Sequence, residues 1–290
     1  MSWPRCGTDG LLTPRRGRGV CTVCLNLIQP GHDLCRACRS GEQHLDLVAP
    51  ISYSLGGGWL HTQIVAYKRE ADPFVPAAAH ALAEMLERFL ANHERCVGQG
   101  ELFDVVTTVP SGDANRDRLH PLRRIVGEMV PSTRERHRRL LLRSDVPCRP
   151  RAFDRRRYRA VRPLNGERVL LVDDMWTTGA SAQSAAAALL AAGASTVSAV
   201  VIARHLNRHW ADNLVRLQAL EGELDWSACL LCRADSNRVG SSAAAAATTP
   251  AAATTTPAAA PTAPAAAATR AAATTPAAAT TAPAATTPAA

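Results

Sequence analysis

Two kinds of apolar pattern alternate along the chain. Short runs of Val, Leu, Ile and Thr bounded by charge, Gly or Pro are typical of buried strands, and longer segments with apolar residues on one face are typical of helices. The predicted strands are 46–56, 104–110, 169–172 and 196–202. The predicted helices are 59–67, 76–92, 121–129, 181–192 and 206–220. This alternation predicts an α/β fold in which helices flank a parallel sheet.

One segment, Arg168–Ser181, combines a buried strand, two carboxylates and a turn in the order R-V-L-L-V-D-D-M-W-T-T-G-A-S. Asp173 and Asp174 directly follow the apolar run, at the carboxyl end of the predicted strand, where open α/β sheets bind ligands. The turn 177–181 leads into a helix whose first backbone N–H groups and dipole favour an anion. The segment therefore offers carboxylates for hydroxyls or a metal and, a few residues on, a site for a phosphate.

Two other classes of protein share a hydrophobic run followed by Asp-Asp, and the sequence excludes both. A nucleotide hydrolase would need a G-x-x-x-x-G-K-[ST] loop, and the chain has no such string. A receiver domain carries its acidic pair after its first strand and needs a later lysine. Here Lys68 is the only lysine, and it precedes the acidic pair.

The segment Val169–Ser181 resembles the phosphoribosyl pyrophosphate (PRPP) signature of the type I phosphoribosyltransferases. The resemblance implies that fold, and it implies that Asp173 and Asp174 hold the ribose 2′- and 3′-hydroxyls. The implied ligands of the 5′-phosphate are Thr177, Thr178, Gly179, Ala180 and Ser181. The implied reaction transfers ribose 5-phosphate to a nitrogen acceptor with release of pyrophosphate, and Mg²⁺ enters with PRPP, held mainly by PRPP oxygens.

Two short segments resemble pyrophosphate-binding elements of this family. Residues 66–68 read A-Y-K, as in its ComF-like branch, so Lys68 either approaches the pyrophosphate or is a solvated surface lysine. Lysine is a compact donor suited to phosphate oxygens. Ser111 and Gly112 follow the 104–110 strand, at the position of the family's pyrophosphate loop.

The most basic part of the chain, Arg134–Arg162, has three open interpretations. It is a solvated loop, a contact for nucleic acid in which Phe153 and Tyr158 stack on bases, or a mobile flap that closes over pyrophosphate. The flap is the family's arrangement, and planar guanidinium groups match phosphate oxygens. Its implied pyrophosphate ligands are Arg155, Arg156 and Arg157.

Nine cysteines suggest metal sites or free thiols in a reducing compartment. A C-x2-C-x10-C-x2-C pattern is formed by Cys21, Cys24, Cys35 and Cys38. It predicts a closed, structural Zn²⁺ site in a small zinc-ribbon-like module, with His32 as a weaker alternative ligand. Cys229 and Cys232 form a further C-x2-C pair, which either stays as plain thiols or joins another pair. No spacing pattern includes Cys6, Cys96 or Cys148.

Composition, together with the family resemblance, divides the 290 residues into three predicted parts. Residues 1–45 hold a basic amino terminus and the cysteine module, and residues 46–235 form the phosphoribosyltransferase-like domain. Residues 236–290 form a tail that is almost entirely Ala, Thr and Pro from Ser241 on, which predicts disorder.

Charge and hydropathy indicate the setting and the partners. Residues 1–20 lack the apolar core of a signal peptide, and Gly193 divides the long uncharged run Met175–Ala203 into a helix and a strand. We therefore expect a cytoplasmic protein with no membrane partner. The net charge of +8 favours phosphates or nucleic acid. The alternative function is a non-enzymatic PRPP or nucleotide sensor, or a DNA-uptake (competence) accessory that binds single-stranded DNA or a protein partner.

Overall fold

Four strands of the chain form one sheet in which every neighbouring pair is parallel. The structure is a computed structural model, and it describes residues 11–68, 76–111, 120–207, 209–210, 213–218 and 224–232. The chain divides into two units, Met1–Ala246 and Ala247–Ala290, and all described residues belong to the first. The predicted tail 236–290 and Gly112 lie outside the described residues.

The elements include the four predicted strands, and two further short strands, at 141–143 and 158–160, were not predicted. The strands are β1 (Leu47–Leu55), β2 (Val105–Thr108), β3 (Leu141–Arg143), β4 (Tyr158–Ala160), β5 (Arg168–Trp176) and β6 (Thr196–Leu206). The helices are α1 (Arg36–Ser40), α2 (Trp59–Ala66), α3 (Pro76–Val97), α4 (Pro121–Arg124), α5 (Pro131–Arg134), α6 (Ala180–Ala191) and α7 (Asn213–Gln218). One π-helical turn, Ile125–Met129, continues α4.

The sheet has the order β1-β6-β5-β2, and β3 pairs with β4 in a separate antiparallel hairpin. Val172 of β5 is level with Thr108 of β2 on one side and Val200 of β6 on the other. The carboxyl ends of β2 and β5 therefore lie side by side, so that loops leaving these two strands can form one site.

Alternate residues of β5 pack on opposite faces of the sheet, as the strand period requires. Leu170 and Val172 belong to the core formed with α2 and α3, whereas Val169 and Leu171 belong to the core formed with α6. The alanine side chains of α6 are small, which allows close packing on the sheet. Helices thus flank a parallel sheet on both faces, and the predicted α/β class is confirmed to that extent.

Two elements extend beyond their predicted ends because buried polar residues interrupt the apolar pattern. β6 continues to Leu206 through Arg204, whose guanidinium donates hydrogen bonds to buried carbonyls. α3 continues to Val97 through Glu94, which binds Arg136 through both carboxylate oxygens, at 2.6 and 2.8 Å. The predicted helix 206–220 is helical only over Asn213–Gln218 within the described part.

No described helix combines the length and the apolar character that a membrane span requires. The uncharged run Met175–Ala203 instead contains the end of β5, all of α6 and most of β6.

Candidate functional site

The acidic pair lies at the carboxyl end of β5, and Asp174 is held there by the end of α2. The hydroxyl of Tyr67 donates to one oxygen of Asp174, and Lys68 Nζ donates to Oδ1 at 2.8 Å. Asp174 is only 7% exposed. A buried carboxylate needs such partners, because removing a charge from water is costly unless it is paired and hydrogen-bonded.

Asp173 has a different environment from that of its neighbour. One of its carboxylate oxygens, Oδ1, accepts the backbone N–H of Asp174 at 2.9 Å. Burial and the negative charge of Asp174 raise the pKa of Asp173 to about 7, although Lys68 acts in the opposite direction. The two adjacent carboxyl groups therefore differ, since Asp174 has a cationic partner and Asp173 exchanges its proton near neutral pH.

The turn 177–181 joins β5 to α6 through a position that requires glycine. Gly179 caps α6 with φ +82°, in the left-handed region that favours glycine. A Cβ at this position would overlap the indole ring of Trp176, which is 2% exposed. The tight turn brings the first N–H groups of α6, which have no partners within the helix, to the end of the strand. An anion can bind at this helix amino terminus.

One cavity of about 260 Å³ contains both the acidic pair and the turn. Its lining includes the polar residues Tyr67, Lys68, Ser111, His120, Arg151, Asp173, Asp174, Thr177, Thr178 and Ser181, together with Gly179 and Ala180. The structure thus brings together residues that follow α2 and β2 with the end of β5, the turn 177–181 and Arg151. Gly112 lies outside the described residues, so its predicted role stays a prediction.

The hairpin β3–β4 carries the basic segment against the turn. Thr178 Oγ1 donates to the carbonyl of Arg151 at 3.2 Å, and Ser184 Oγ accepts the N–H of Asp154 at 3.1 Å. Tyr158 Oη donates to the carbonyl of Pro110 at 3.3 Å, and burial raises the pKa of Tyr158 to about 12. The hairpin therefore closes one side of the cavity, and the hydroxyl of Tyr158 remains a donor at neutral pH.

The three predicted arginine ligands do not line this cavity. Arg155 pairs with Glu42 at 2.6 Å, and Arg156 pairs with Asp154 at 3.1 Å. Arg157 is buried, and its guanidinium donates to two carbonyls of the same loop, at 2.9 and 2.6 Å. Their role toward pyrophosphate stays a prediction.

Three polar residues that line the cavity have no predicted role from the sequence: Tyr67, Arg151 and His120. Arg151 lies in the basic segment, but no spacing distinguishes it from the other arginines there. Its backbone φ is +58°, in the left-handed region that is uncommon for a residue with a Cβ, and the sequence does not predict this conformation. His120 precedes α4, and no pattern of neighbouring residues indicates that it lines the cavity.

The amino-terminal cysteine group is assembled as predicted. The four sulfurs of Cys21, Cys24, Cys35 and Cys38 are buried and lie within 4.8 Å of one another. Cys24 Sγ is 3.7 Å from Cys35 Sγ, close to the ~3.8 Å edge of a tetrahedron with ~2.3 Å Zn–S bonds. The group can hold a structural metal such as zinc, and His32 does not belong to it.

Two buried polar side chains connect this module to the cavity. Arg204 of β6 donates through Nε to the carbonyl of Cys24 at 2.9 Å and through Nη1 to that of Trp176 at 3.0 Å. Gln183 of α6 accepts the backbone N–H groups of His44 and Leu45, at 2.6 and 3.1 Å. The module thus packs against both ends of the turn that lines the cavity.

A second group of metal-ligand type lies at the other face of the sheet. His93 and Cys96 of α3 meet Cys229 and Cys232, and their four ligand atoms lie within 4.8 Å of one another. The sequence left the partner of Cys229 and Cys232 open. A faint signal was the H-x2-C spacing at 93–96, which places two ligands on one helix face. This group too can hold a structural metal such as zinc.

The chain matches no protein-family model, and no curated protein matches it at a significant level.

Proposed function

We propose that this protein binds PRPP and is a phosphoribosyltransferase of the type I kind, with a structural zinc in its amino-terminal module. The observation that carries the proposal is the shared cavity. Two adjacent carboxyl groups at a strand end and a Thr-Thr-Gly-Ala-Ser turn at a helix amino terminus line the same space. PRPP presents a diol and a 5′-phosphate on one ribose, and these two features match those two groups of residues.

In this proposal Asp173 and Asp174 accept hydrogen bonds from the ribose hydroxyls. The turn 177–181 holds the 5′-phosphate through backbone N–H groups and hydroxyls. Lys68 and Arg151 line the same cavity and supply positive charge for the pyrophosphate. Preorganised cations of this kind stabilise the charge that develops on a leaving group.

The reaction would be a displacement at C1 of the ribose. The lone pair of a nitrogen nucleophile forms the new C1–N bond, and the C1–O bond breaks with its electron pair leaving on pyrophosphate. The nitrogen then loses its proton to solvent or to a base. The transition state has oxocarbenium character, as in glycoside transfer.

The donor set of the cavity fits a Mg²⁺ ion that arrives with PRPP. Mg²⁺ prefers hard oxygen ligands and is usually bound by one or two carboxylates plus substrate phosphates. Asp174 is already paired with Lys68, so Asp173 is the carboxylate available to the ion. When bound, the ion would neutralise part of the charge on pyrophosphate.

Calorimetry with PRPP and Mg²⁺ tests the binding step. We expect saturable binding by the wild type and its loss in the Asp173→Asn, Asp174→Asn double variant, which keeps the side-chain shape. Asp145→Asn, at an exposed position away from the cavity, is the matched control and should bind like wild type. Equal binding by wild type and the double variant, or none by wild type, would contradict the proposal.

A screen for PRPP-dependent release of pyrophosphate tests the chemical step and identifies the acceptor. Purines, pyrimidines and simple amines are the classes to compare. Release with one class and not with others would define the enzyme. Salt-dependent binding of single-stranded DNA that survives the double Asp substitution, without any pyrophosphate release, would favour the non-enzymatic alternative instead.

A further inference from the structure

Four side chains from distant parts of the chain surround one point beside the carboxyl-terminal end of α3. Cys232 Sγ lies 3.1 Å from Cys96 Sγ, 3.4 Å from Cys229 Sγ and 3.4 Å from His93 Nδ1. His93 and Cys96 are one turn apart on the helix, and Cys229 and Cys232 follow each other in the segment 224–232. Each of the four residues contributes one atom of a metal-ligating type.

These separations suit a small tetrahedral ion better than they suit a disulfide. Zn–S bonds of ~2.3 Å and Zn–N bonds of ~2.0–2.1 Å give tetrahedron edges of about 3.5–3.8 Å. The S···N distances of 3.4 and 4.0 Å lie on either side of the ~3.5 Å S···N edge. The S···S distances of 3.1 and 3.4 Å are about 0.7 and 0.4 Å shorter than the ~3.8 Å S···S edge. The sulfurs are well beyond the ~2.05 Å of a disulfide bond.

The atoms around the group orient its ligands. His93 Nε2 lies 3.0 Å from the carbonyl oxygen of Trp226. A carbonyl can only accept, so Nε2 carries the hydrogen and Nδ1 presents its lone pair to the three sulfurs. A metal-binding histidine typically has its other ring nitrogen fixed in this way.

Backbone N–H groups point at the Cys229 sulfur. The N–H groups of Leu231 and Cys232 approach it at 3.4 and 3.5 Å. The amino-terminal group has the same feature, since the N–H of Cys38 approaches Cys35 Sγ at 3.4 Å. Hydrogen bonds to a sulfur favour its charged, metal-binding form.

We propose that His93, Cys96, Cys229 and Cys232 bind a second structural Zn²⁺. Four protein ligands would close the coordination sphere, so the ion would serve folding rather than catalysis. It would cross-link the segment 224–232 to α3. The buried Leu224 and Leu230 of that segment belong to the same core as α3. The segment 224–232 is too short to make many apolar contacts, and the bound ion would stabilise its position instead.

Metal counting by native mass spectrometry tests the proposal on the whole chain. We expect two zinc ions per wild-type chain, one in the Cys229→Ser, Cys232→Ser variant and one in the Cys21→Ser, Cys24→Ser variant. Cys148→Ser changes a cysteine outside both groups and should keep two. One zinc in the wild type, or two in the Cys229→Ser, Cys232→Ser variant, would overturn the proposal. If the wild type has one zinc and its mass is also two hydrogen atoms below that of the one-zinc chain with its other cysteines reduced, a disulfide has formed in place of the second zinc site.

Alkylation of the wild type locates the ion without any variant. Cys96 and Cys232 are partly exposed, so only a bound metal should protect them from iodoacetamide. We expect peptide mapping to show that Cys148 reacts in the native protein, and that Cys96, Cys229 and Cys232 react only after chelation. Equal modification of Cys96 and Cys232 before and after chelation would overturn the proposal.

Discussion

Lys68 Nζ lies 2.8 Å from Oδ1 of Asp174, although 106 positions separate the two residues in the chain. Lys68 follows the end of α2, and Asp174 is near the end of β5. The hydroxyl of Tyr67 donates to the same carboxylate. The only lysine of the chain and one member of its acidic pair therefore form a single charged contact at the wall of the cavity.

Replacing Lys68 with Met should weaken PRPP binding by about tenfold, or ~1.4 kcal/mol. The change removes a positive charge from the cavity and leaves Asp174 with Tyr67 as its remaining described partner. It also removes an influence that lowers the pKa of Asp173, so that carboxyl group should stay protonated to higher pH. Calorimetry with PRPP and Mg²⁺ measures the effect. Arg159→Met, which removes an exposed cation on β4, is the control, and equal affinity in both variants would contradict the prediction.

Asp173 should make the folded protein less stable as the pH rises. Its pKa is about 7 in the folded state, raised mainly by burial, against 3.8 for an ordinary aspartate. Between these two pKa values the folded state binds more protons than the unfolded state. The stabilising contribution of Asp173 to the free energy of unfolding is therefore complete below about pH 4 and is lost as the pH rises through about 7. Urea unfolding should show wild type losing ~2–3 kcal/mol more than Asp173→Asn between about pH 5 and about pH 8. Identical pH profiles for the two proteins would show that Asp173 titrates normally.

Gly179→Ala should destabilise the protein far more than Gly166→Ala. The two glycines have almost the same φ, +82° and +84°, so both substitutions carry the same left-handed penalty of ~1–2 kcal/mol. Only at Gly179 would the new Cβ meet the Trp176 ring, whereas nothing lies within 4 Å at Gly166. Overpacking of this kind adds ~1–3 kcal/mol. Thermal unfolding measures the difference, and equal losses would mean that the turn relaxes away from Trp176.

The parts of the site that the sequence predicts lie within short, continuous segments of the chain. The strand, the acidic pair and the turn lie within Arg168–Ser181, so the local sequence pattern alone is enough to place the acidic pair and the turn at one strand end. The sheet order adds Ser111 to the same edge, because β2 is the neighbour of β5. The four cysteines of the amino-terminal module were predictable for a similar reason, since their spacing alone defines two facing pairs.

The unpredicted features depend on contacts between distant parts of the chain. Arg151 lines the cavity because the hairpin lies against the turn, whereas Arg155 in the same basic segment pairs with Glu42. His93 acquires sulfur neighbours only because a segment far along the chain packs on α3. Spacing rules describe neighbours within one element, so they do not reveal such pairs.

Arg204→Met should lower the free energy of unfolding and weaken the binding of zinc by the amino-terminal module. Arg204 is 3% exposed and donates to the carbonyls of Cys24 and Trp176, and Nη2 lies 3.6 Å from Cys24 Sγ. Leaving buried carbonyls without donors costs ~1–3 kcal/mol each, so unfolding should become easier by about 3 kcal/mol. Four thiolates around Zn²⁺ carry excess negative charge, and a buried guanidinium beside one of them offsets part of it.

The control for this prediction is Arg216→Met, at a different contact of the module. Arg216 also donates to module carbonyls, those of Gly19 and Ile28, but its described contacts include no sulfur. Both variants should unfold more easily than wild type in urea. Only Arg204→Met should release zinc faster to a chromogenic chelator, because only that substitution removes positive charge next to a thiolate. Equal release rates in the two variants would show that Arg204 acts through its carbonyl contacts alone.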